Sequence, residues 1–565
     1  MILELVGHAE RLIPLGNTDV WTHDGVAYLG TSERHCGTGE VDDSGIQIYS
    51  VDDPKNPQRI GALPSVKGSR SNDVKVAAMV GGVRLVHSNE SCEPGGPGGF
   101  EVYDVSDPHL PIHLAHVETN SVNKFSRTNV GETNVGVHNL YLFHREGSDY
   151  VASQVNTTIG SFQIFDISNP SNVNRIGYFG AEALRWPYVN WETTSDLEFI
   201  NEVESYLAGG FGQMRGRNLH DLYVTPDGKL AYLAHWDAGL ILLDLADLSQ
   251  PQVLSVALEL DSGHGEVNSH SVWPTDDGRI VVEGAEDFNS HGTEVTIMNT
   301  EEAQSYPAVE GTFTRRIKTL PEESLSGPTV YLGLGCDSMS KPTSKGQVAL
   351  ILRGECSFSS KLDQALNLGY TAAVVFNHQT GGAETITMGA RNQVNLPAVF
   401  VNHGAGLALG GVKHINQLTP GTTGATIRVK TAPNGWGGVR IWDYTDPRVP
   451  ILASTFNTEC SANPDTNTCA RGILSSHNVI VEDNLAYISW YAEGLVVLDI
   501  SNPYKPVEIS RYRTSGPSFR LSNGGDQDIW GVHKVPGEPW IYISDRNGGM
   551  YVLEIVIVAS EQPKP

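Results

Sequence analysis

The chain has 565 residues, with 60 Gly and 30 Pro and only 18 % charged residues. That balance favours many short strands and turns over long helices, and no apolar run of about 18 residues offers a spanning helix, so no membrane span is expected. Its 38 basic and 65 acidic residues leave a formal charge of −27, which repels phosphate backbones and anionic lipid, so no nucleic acid partner is expected.

The first alternating segment, Glu4 to Leu12, has no neighbouring strand to pair with. After it, one four-strand unit recurs. Its clearest copy runs from His220 to about Leu260 as HDLYV, LAYLAHWDA, GLILLDLADLSQP and VLSVALEL. The third strand of the unit returns from Gly45, Gly99, Ser161, Gly239, Gly438 and Gly494, with a truncated copy from Gly549. In the first six copies an Asp, Asn or Ser cluster turns the chain into a fourth strand. The seventh copy lacks its fourth strand, and the orphan segment at the start matches that pattern. The expectation is an all-β, seven-bladed β-propeller in which Met1 to about Leu15 pairs with Gly549 to Val558 and closes the ring.

The strands GFEVYDVSDP, SFQIFDISNP and GLVVLDISNP resemble the LVIVD-repeat family. The resemblance implies the propeller fold and says little of function, since many members are surface or secreted proteins with no assigned activity.

In the fifth unit, the second strand from Arg279 to Gly284 is followed by about 150 residues before the third strand, an interval far beyond any ordinary strand connection. Within it, GQVALILRGECSFSSKLDQALNLGYTAAVVFNH from Gly346, and NLPAVFVNHGAGLAL from Asn395, resemble a protease-associated (PA) domain. The expected division is propeller over 1–287, an α/β insert over 288–433, and propeller again over 434–565. The resemblance implies a lid or a docking module for an extracellular protein, with no catalytic residue of its own. The chain contains no HExxH and no GxSxG, so peptidase chemistry is not expected.

Aligning the units places Thr18, Asn72, His138, His220, His270, His477 and Trp530 at the start of the seven inner strands. The next positions are Asp19, Asp73, Asn139, Asp221, Ser271, Asn478 and Gly531. Four imidazoles from consecutive blades, His138, His220, His270 and His477, are expected to converge on the axis and to share a transition metal: Zn, Cu, Fe or Mn. The alternative is that each ring bonds the backbone of the next blade, as buried polar groups must. Three blades lack the histidine, so the fold does not demand it.

Loops between second and third strands reach the same face and supply Glu90, His235, Asp237, Glu286, Asp287, Asp545 and Arg546. Tyr223 and Glu286 are the candidate catalytic groups. Arg70, Arg127 and Arg217 are candidates for an anionic substrate, and His235 and Trp236 for contacts with a small molecule or glycan. His533 aligns with Tyr223 and not with the histidine ring. The function expected is a metal-dependent lyase or oxidase gated by the PA lid. The alternative is a non-catalytic extracellular scaffold that holds a protein or glycan.

The six cysteines fall into three local pairs, Cys36–Cys92, Cys336–Cys356 and Cys460–Cys469, with no CxxC spacing. They read as disulfides of an oxidising compartment, hence an extracellular protein. Asn89-Glu90-Ser91 and Asn156-Thr157-Thr158 are glycosylation sequons consistent with that. Met1-Ile2-Leu3-Glu4 shows no basic and apolar leader, so the extracellular expectation rests on the cysteines.

Overall fold

The computed structural model describes residues 1–12, 16–31, 45–92, 96–119, 136–155, 161–180, 219–236, 238–258, 267–287, 291–298, 304–311, 313–336, 339–379, 385, 388, 393–433, 437–463, 469–470, 472–514 and 527–556. Arg127, Arg217, Cys36, Asn156 and Asp237 lie outside the described residues.

The repeat signature has a local physical cause. At the end of most third strands a carboxylate accepts the backbone N–H two residues on, as Asp104 does from Ser106, Asp166 from Ser168, Asp443 from Thr445 and Asp499 from Ser501, each at 2.9 Å. A second Asx turn follows, as at Asp107 with His109 (3.0 Å) and Asn169 with Ser171 (3.2 Å). Paired side-chain turns of this kind reverse the chain without spending a ladder bond. The glycine that opens the third strand is equally constrained. Gly99 has φ 97°, and a Cβ there would lie 2.0 Å from the Val117 carbonyl oxygen of the fourth strand.

Seven antiparallel sheets result, and they are the blades of a seven-bladed β-propeller. Blade one is built from Val20–His23, Val26–Gly30, Gly45–Ser50 and Gln58–Pro64. Blade seven takes Ile529–Lys534, Trp540–Asp545 and Gly549–Val556 from the end of the chain and Ile2–Glu10 from its start. The closing pair runs antiparallel, with Leu3 opposite Ile555 and Glu10 opposite Gly549. A Cβ on Gly549 would meet the Ala9 carbonyl at 2.1 Å, so the borrowed strand reproduces the approach found within an uninterrupted blade. Third strands are buried along almost their whole length, as at Leu240–Asp244, while fourth strands such as Gln252–Ala257 are half exposed. Blades therefore bury their middles against one another and turn their outer edges to solvent.

In blade five, Ile280–Ala285 pairs with Val439–Asp443, so the sheet is intact although the chain leaves between them. The insert forms its own closed barrel, from His291–Ile297 to Thr423–Pro433. In its parallel half, Ser324–Tyr331, Val348–Leu352, Ala372–Phe376 and Ala398–Val401, helix Phe358–Leu368 joins the second strand to the third, and helix His403–Leu409 leads from the fourth to Thr423–Pro433. Apolar clusters lie on both sides of these strands, one around Val374 and Phe376 and one around Leu362 and Phe400. That is the α/β layering of a separate domain.

Cys336–Cys356 and Cys460–Cys469 are disulfides, and Cys92 is disulfide-bonded as well. The sequon at Asn89 is corrected by its surroundings. Asn89 is fully buried, and its amide donates to Glu101 Oε1 at 2.6 Å, so the folded chain offers no site for a glycan there. Among the described residues no helix is long and apolar enough to cross a membrane.

Candidate functional site

The inner strands meet around the axis, and in three of them a local irregularity turns successive residues towards it. Strand pairing slips between Val137 and Leu140, between Ser269 and Ser271, and between Ile529 and Val532. Bulges of this kind re-aim side chains. They release His138 with Asn139, His270, and Trp530 with Gly531 from the strict alternation that would send neighbours to opposite faces. One residue further on, Val20, Val74, Leu140, Leu222, Val272, Val479 and Val532 are all buried apolar packing between blades.

The first layer contains the four histidines in an arc. Ring centroids are 4.6 Å apart for His138 and His220, 3.8 Å for His220 and His270, and 4.6 Å for His270 and His477. Three of them are chained by their backbones. His220 Nδ1 lies 3.1 Å from the His270 carbonyl oxygen, His270 Nδ1 lies 3.1 Å from that of His477, and His477 Nδ1 lies 2.7 Å from that of Trp530. A carbonyl oxygen only accepts, so each Nδ1 carries the proton and each Nε2 keeps a lone pair. Burial then holds His220 and His477 well below the usual imidazole range and His270 down to about 3, so the rings are neutral. The blade-to-blade hydrogen bond expected as an alternative to metal ligation is present, yet it consumes only Nδ1.

The Nε2 atoms of His270 and His477 are buried with no hydrogen-bond partner. Glu286 faces them. Its Oε2 lies 3.2 Å from His270 Nε2, and ligand atoms of His270, Glu286 and His477 all lie within 4.8 Å of one another. Tyr491 donates its hydroxyl to the other carboxylate oxygen. Burial lifts Glu286 to about 7, against the pull of the Tyr491 hydrogen bond and of Arg546. Arg546 is held by Asp528, with contacts of 2.9 Å to both carboxylate oxygens, and stacks on Trp530 with its guanidinium 4.3 Å from the ring centroid.

The four-histidine arrangement is thereby corrected. His138 gives Nδ1 to Glu90, and its Nε2 lies 3.3 Å from the Asn72 amide nitrogen. With both nitrogens engaged it has no lone pair left for a shared ion. Glu90 also pairs with Arg70 at 2.6 Å, so Arg70 is the partner of a buried carboxylate and not an open anion site, although 43 % of its side chain is exposed. Burial alone would raise Glu90, but His138 and Arg70 bring it down to about 2. Trp236 lies edge-on to His220 and His270 at 5.5 and 5.7 Å. His235, beside it in the chain, is fully buried.

Below the histidines lies a charged layer. The Lys75 ammonium contacts Asp19 Oδ2 at 3.0 Å and pairs with Asp73, and Asp221 adds its field. Blades one and two thus meet at one nitrogen atom, within the field of a carboxylate of blade four. A third layer is aromatic. Tyr223 packs on Trp273 at 4.8 Å and on Tyr141 at 5.2 Å, and His533 stacks on Trp21 at 3.9 Å. His533 therefore shares the level of Tyr223, as the alignment has it. Tyr223 itself is corrected as a base for the histidine site: the charged layer intervenes, and burial raises its hydroxyl to about 12.

Sequence reasoning missed Tyr491, Trp530 as the acceptor for His477, and the role of Glu90. One signal was available. Asn89 pairs with Gly99 and the Ala285 N–H bonds Gly438, so Glu90 and Glu286 occupy the same position of their blades.

Comparison with known proteins agrees with the architecture. A PA domain model matches residues 325–409, and an LVIVD repeat model matches 150–179, 221–256 and 475–514. The chain is 37 % identical over 81 residues to the E3 ubiquitin-protein ligase Godzilla of Drosophila melanogaster, covering 13 % of this chain and 15 % of that one. It is 27 % identical over 218 residues to a probable leucine aminopeptidase 2 of Aspergillus fumigatus, covering 36 % of this chain and 41 % of that one. The chain thus spans less than half the length of either relative. A ubiquitin ligase and an aminopeptidase share no activity, so neither name transfers.

Proposed function

We propose that this LVIVD-repeat propeller, with its PA insert, is a metal-dependent enzyme, a lyase or an oxidase, whose centre is held by His270, His477 and Glu286. One observation carries the reading. His270 Nε2 and Glu286 Oε2 are 3.2 Å apart and buried, and both present lone pairs. Two acceptors in that position repel unless a cation or a proton lies between them. Two neutral imidazoles and a carboxylate suit Zn or Fe, with positions left open for substrate, and Mn and Cu belong to the same range of N and O ligands. The backbone carbonyls that fix each Nδ1 proton orient the rings in the manner usual for metal ligands.

Such an ion would supply Lewis acidity, or redox chemistry if it is Fe or Cu. The chain's own residues do the rest. Tyr491 holds the carboxylate, Trp236 offers an apolar wall beside His220 and His270, and the insert, rooted beside Glu286, acts as the lid. The substrate class is a small molecule or a glycan, in keeping with an extracellular enzyme whose disulfides belong to an oxidising compartment.

The test is elemental analysis of protein purified without a metal-affinity tag. About one transition metal per chain is expected in the parent, and its loss is expected in His477→Ala with the fold retained. A parent that holds no metal and takes none up from micromolar Zn, Fe, Mn or Cu would leave a shared proton as the link between His270 and Glu286, and the enzyme reading would fall.

A further inference from the structure

Ser475 and Ser476 immediately precede His477 and are fully buried. Their hydroxyls reach into blade five. Ser475 Oγ accepts the Asp287 N–H at 2.9 Å and lies 3.1 Å from the Ala285 carbonyl oxygen. Ser476 Oγ lies 2.9 Å from the same Ala285 oxygen and 2.8 Å from the Gly438 carbonyl. The Ser476 N–H donates to the Gly437 carbonyl at 2.6 Å. Gly437 has φ 91°, and a Cβ there would lie 2.9 Å from Ser475 Oγ, so the backbone is seated directly against the hydroxyl.

These contacts join places that are far apart in sequence. Residues 285–287 are where the chain departs for the insert, and 437–438 are where it returns. One serine pair therefore fastens both roots of the insert. The departing root carries Glu286, and the pair itself leads directly into His477.

We propose that Ser475 and Ser476 are positioning residues that couple the PA insert to the metal centre. Through them the state of the insert sets the spacing of Glu286 and His477, and metal bound between those ligands stiffens the insert's roots. The proposal rests on the metal reading above. Groups that orient ligands from behind typically change metal affinity by about 10- to 100-fold when removed. Coupling of this kind is reciprocal, so it is readable from either end. A macromolecule or glycan captured by the insert would be registered at Glu286 without touching it.

The experiment uses the full chain with zinc ion as the probe, comparing the parent with Ser475→Ala and Ser476→Ala. Zinc affinity is measured by chelator competition, and hydrogen exchange is followed in peptides covering both roots, with and without zinc. Zinc is expected to slow exchange at both roots of the parent. Each variant is expected to bind zinc at least about tenfold more weakly, with root exchange no longer responding to zinc. If the parent takes up neither zinc nor, in the same competition, Fe, Mn or Cu, the metal reading fails and this coupling with it. If the parent binds zinc but its roots exchange alike in both states, or the variants bind as tightly as the parent, the coupling is overturned while the metal reading stands. Should Ser475→Ala lose its fold through the orphaned Asp287 N–H, Ser476→Ala carries the same test, because it leaves that bond in place.

Discussion

Glu90 and Glu286 occupy the same position in blades two and five, each beside a histidine of the inner ring, yet their chemistry is opposite. Around Glu90 stand Arg70 and His138, and the carboxylate is held at about 2. Around Glu286 stand two neutral imidazoles and a tyrosine hydroxyl, and burial lifts the carboxyl to about 7. One sector of the ring is a completed ion pair. The other is an incomplete donor set. The lesson is that the scaffold fixes where the side chains go, while one extra cation decides whether a carboxylate–histidine pair is spent on stability or left for a ligand.

Exchanging the two carboxylates one at a time breaks the comparison most sharply. Glu286→Gln is expected to weaken metal binding by about 100-fold or more, since it removes an anionic ligand, and to cost little stability. Glu90→Gln is expected to leave metal content at the parent level and to cost about 3–5 kcal/mol, because His138 and Arg70 lose their shared partner. Chelator titration and denaturant unfolding, run on both variants, check the two halves. Equal metal loss in both would mean that the sectors are not distinct.

Acid separates ion pairs from neutral imidazoles. Burial holds His533 down to about 3 and His87 down to about 4, against about 6.5 in an unfolded chain. Below pH 6.5 the unfolded state takes up protons that these rings refuse. The stability they contribute is therefore full above pH 6.5 and is lost as pH falls towards 4 and 3, at about 1.4 kcal/mol per pH unit for each ring. Glu90 stays ionised and paired throughout that window. His533→Gln is expected to flatten the slope of unfolding free energy against pH by about one proton, and an unchanged slope would contradict the neutral buried state. The smallest effect belongs to Arg70→Lys. It keeps a charge beside Glu90 on a side chain 43 % exposed, so a loss of about 1 kcal/mol or less is expected in the same unfolding assay.

Much of the fold was legible because its signals are local. The Asx turns after Asp104 or Asp499, the glycines such as Gly99 pressed against a carbonyl, and the pairs Cys336–Cys356 and Cys460–Cys469 are each determined within one or two strands. The histidine arc was legible too, because strand starts can be counted from the repeat. What escaped was the partner of each histidine. Glu90 comes from the blade before His138, Trp530 from the blade after His477, and Tyr491 from the loop of the blade after Glu286. Glu286 and Glu90 are equivalent by their distance from the third-strand glycine, and the insert hides that count by separating Glu286 from Gly438. Burial of the sequon at Asn89 was equally out of reach, since its amide is claimed by Glu101 on the adjoining strand.

The Lys75 layer has a consequence for traffic. Its ammonium is held between Asp19 and Asp73 in the field of Asp221, and the rings of Trp21, Tyr223 and Trp273 pack together nearby. A hydrated solute moving along the axis would have to displace a lysine from its carboxylates and then part a stack of aromatic rings. Among the described residues, the charged and aromatic layers thus separate the histidine arc from the far end of the inner strands. On the metal reading, a ligand of His270 and His477 would enter and leave on the side away from Lys75. On that reading, anything that narrows this side, the insert included, would slow departure as much as arrival.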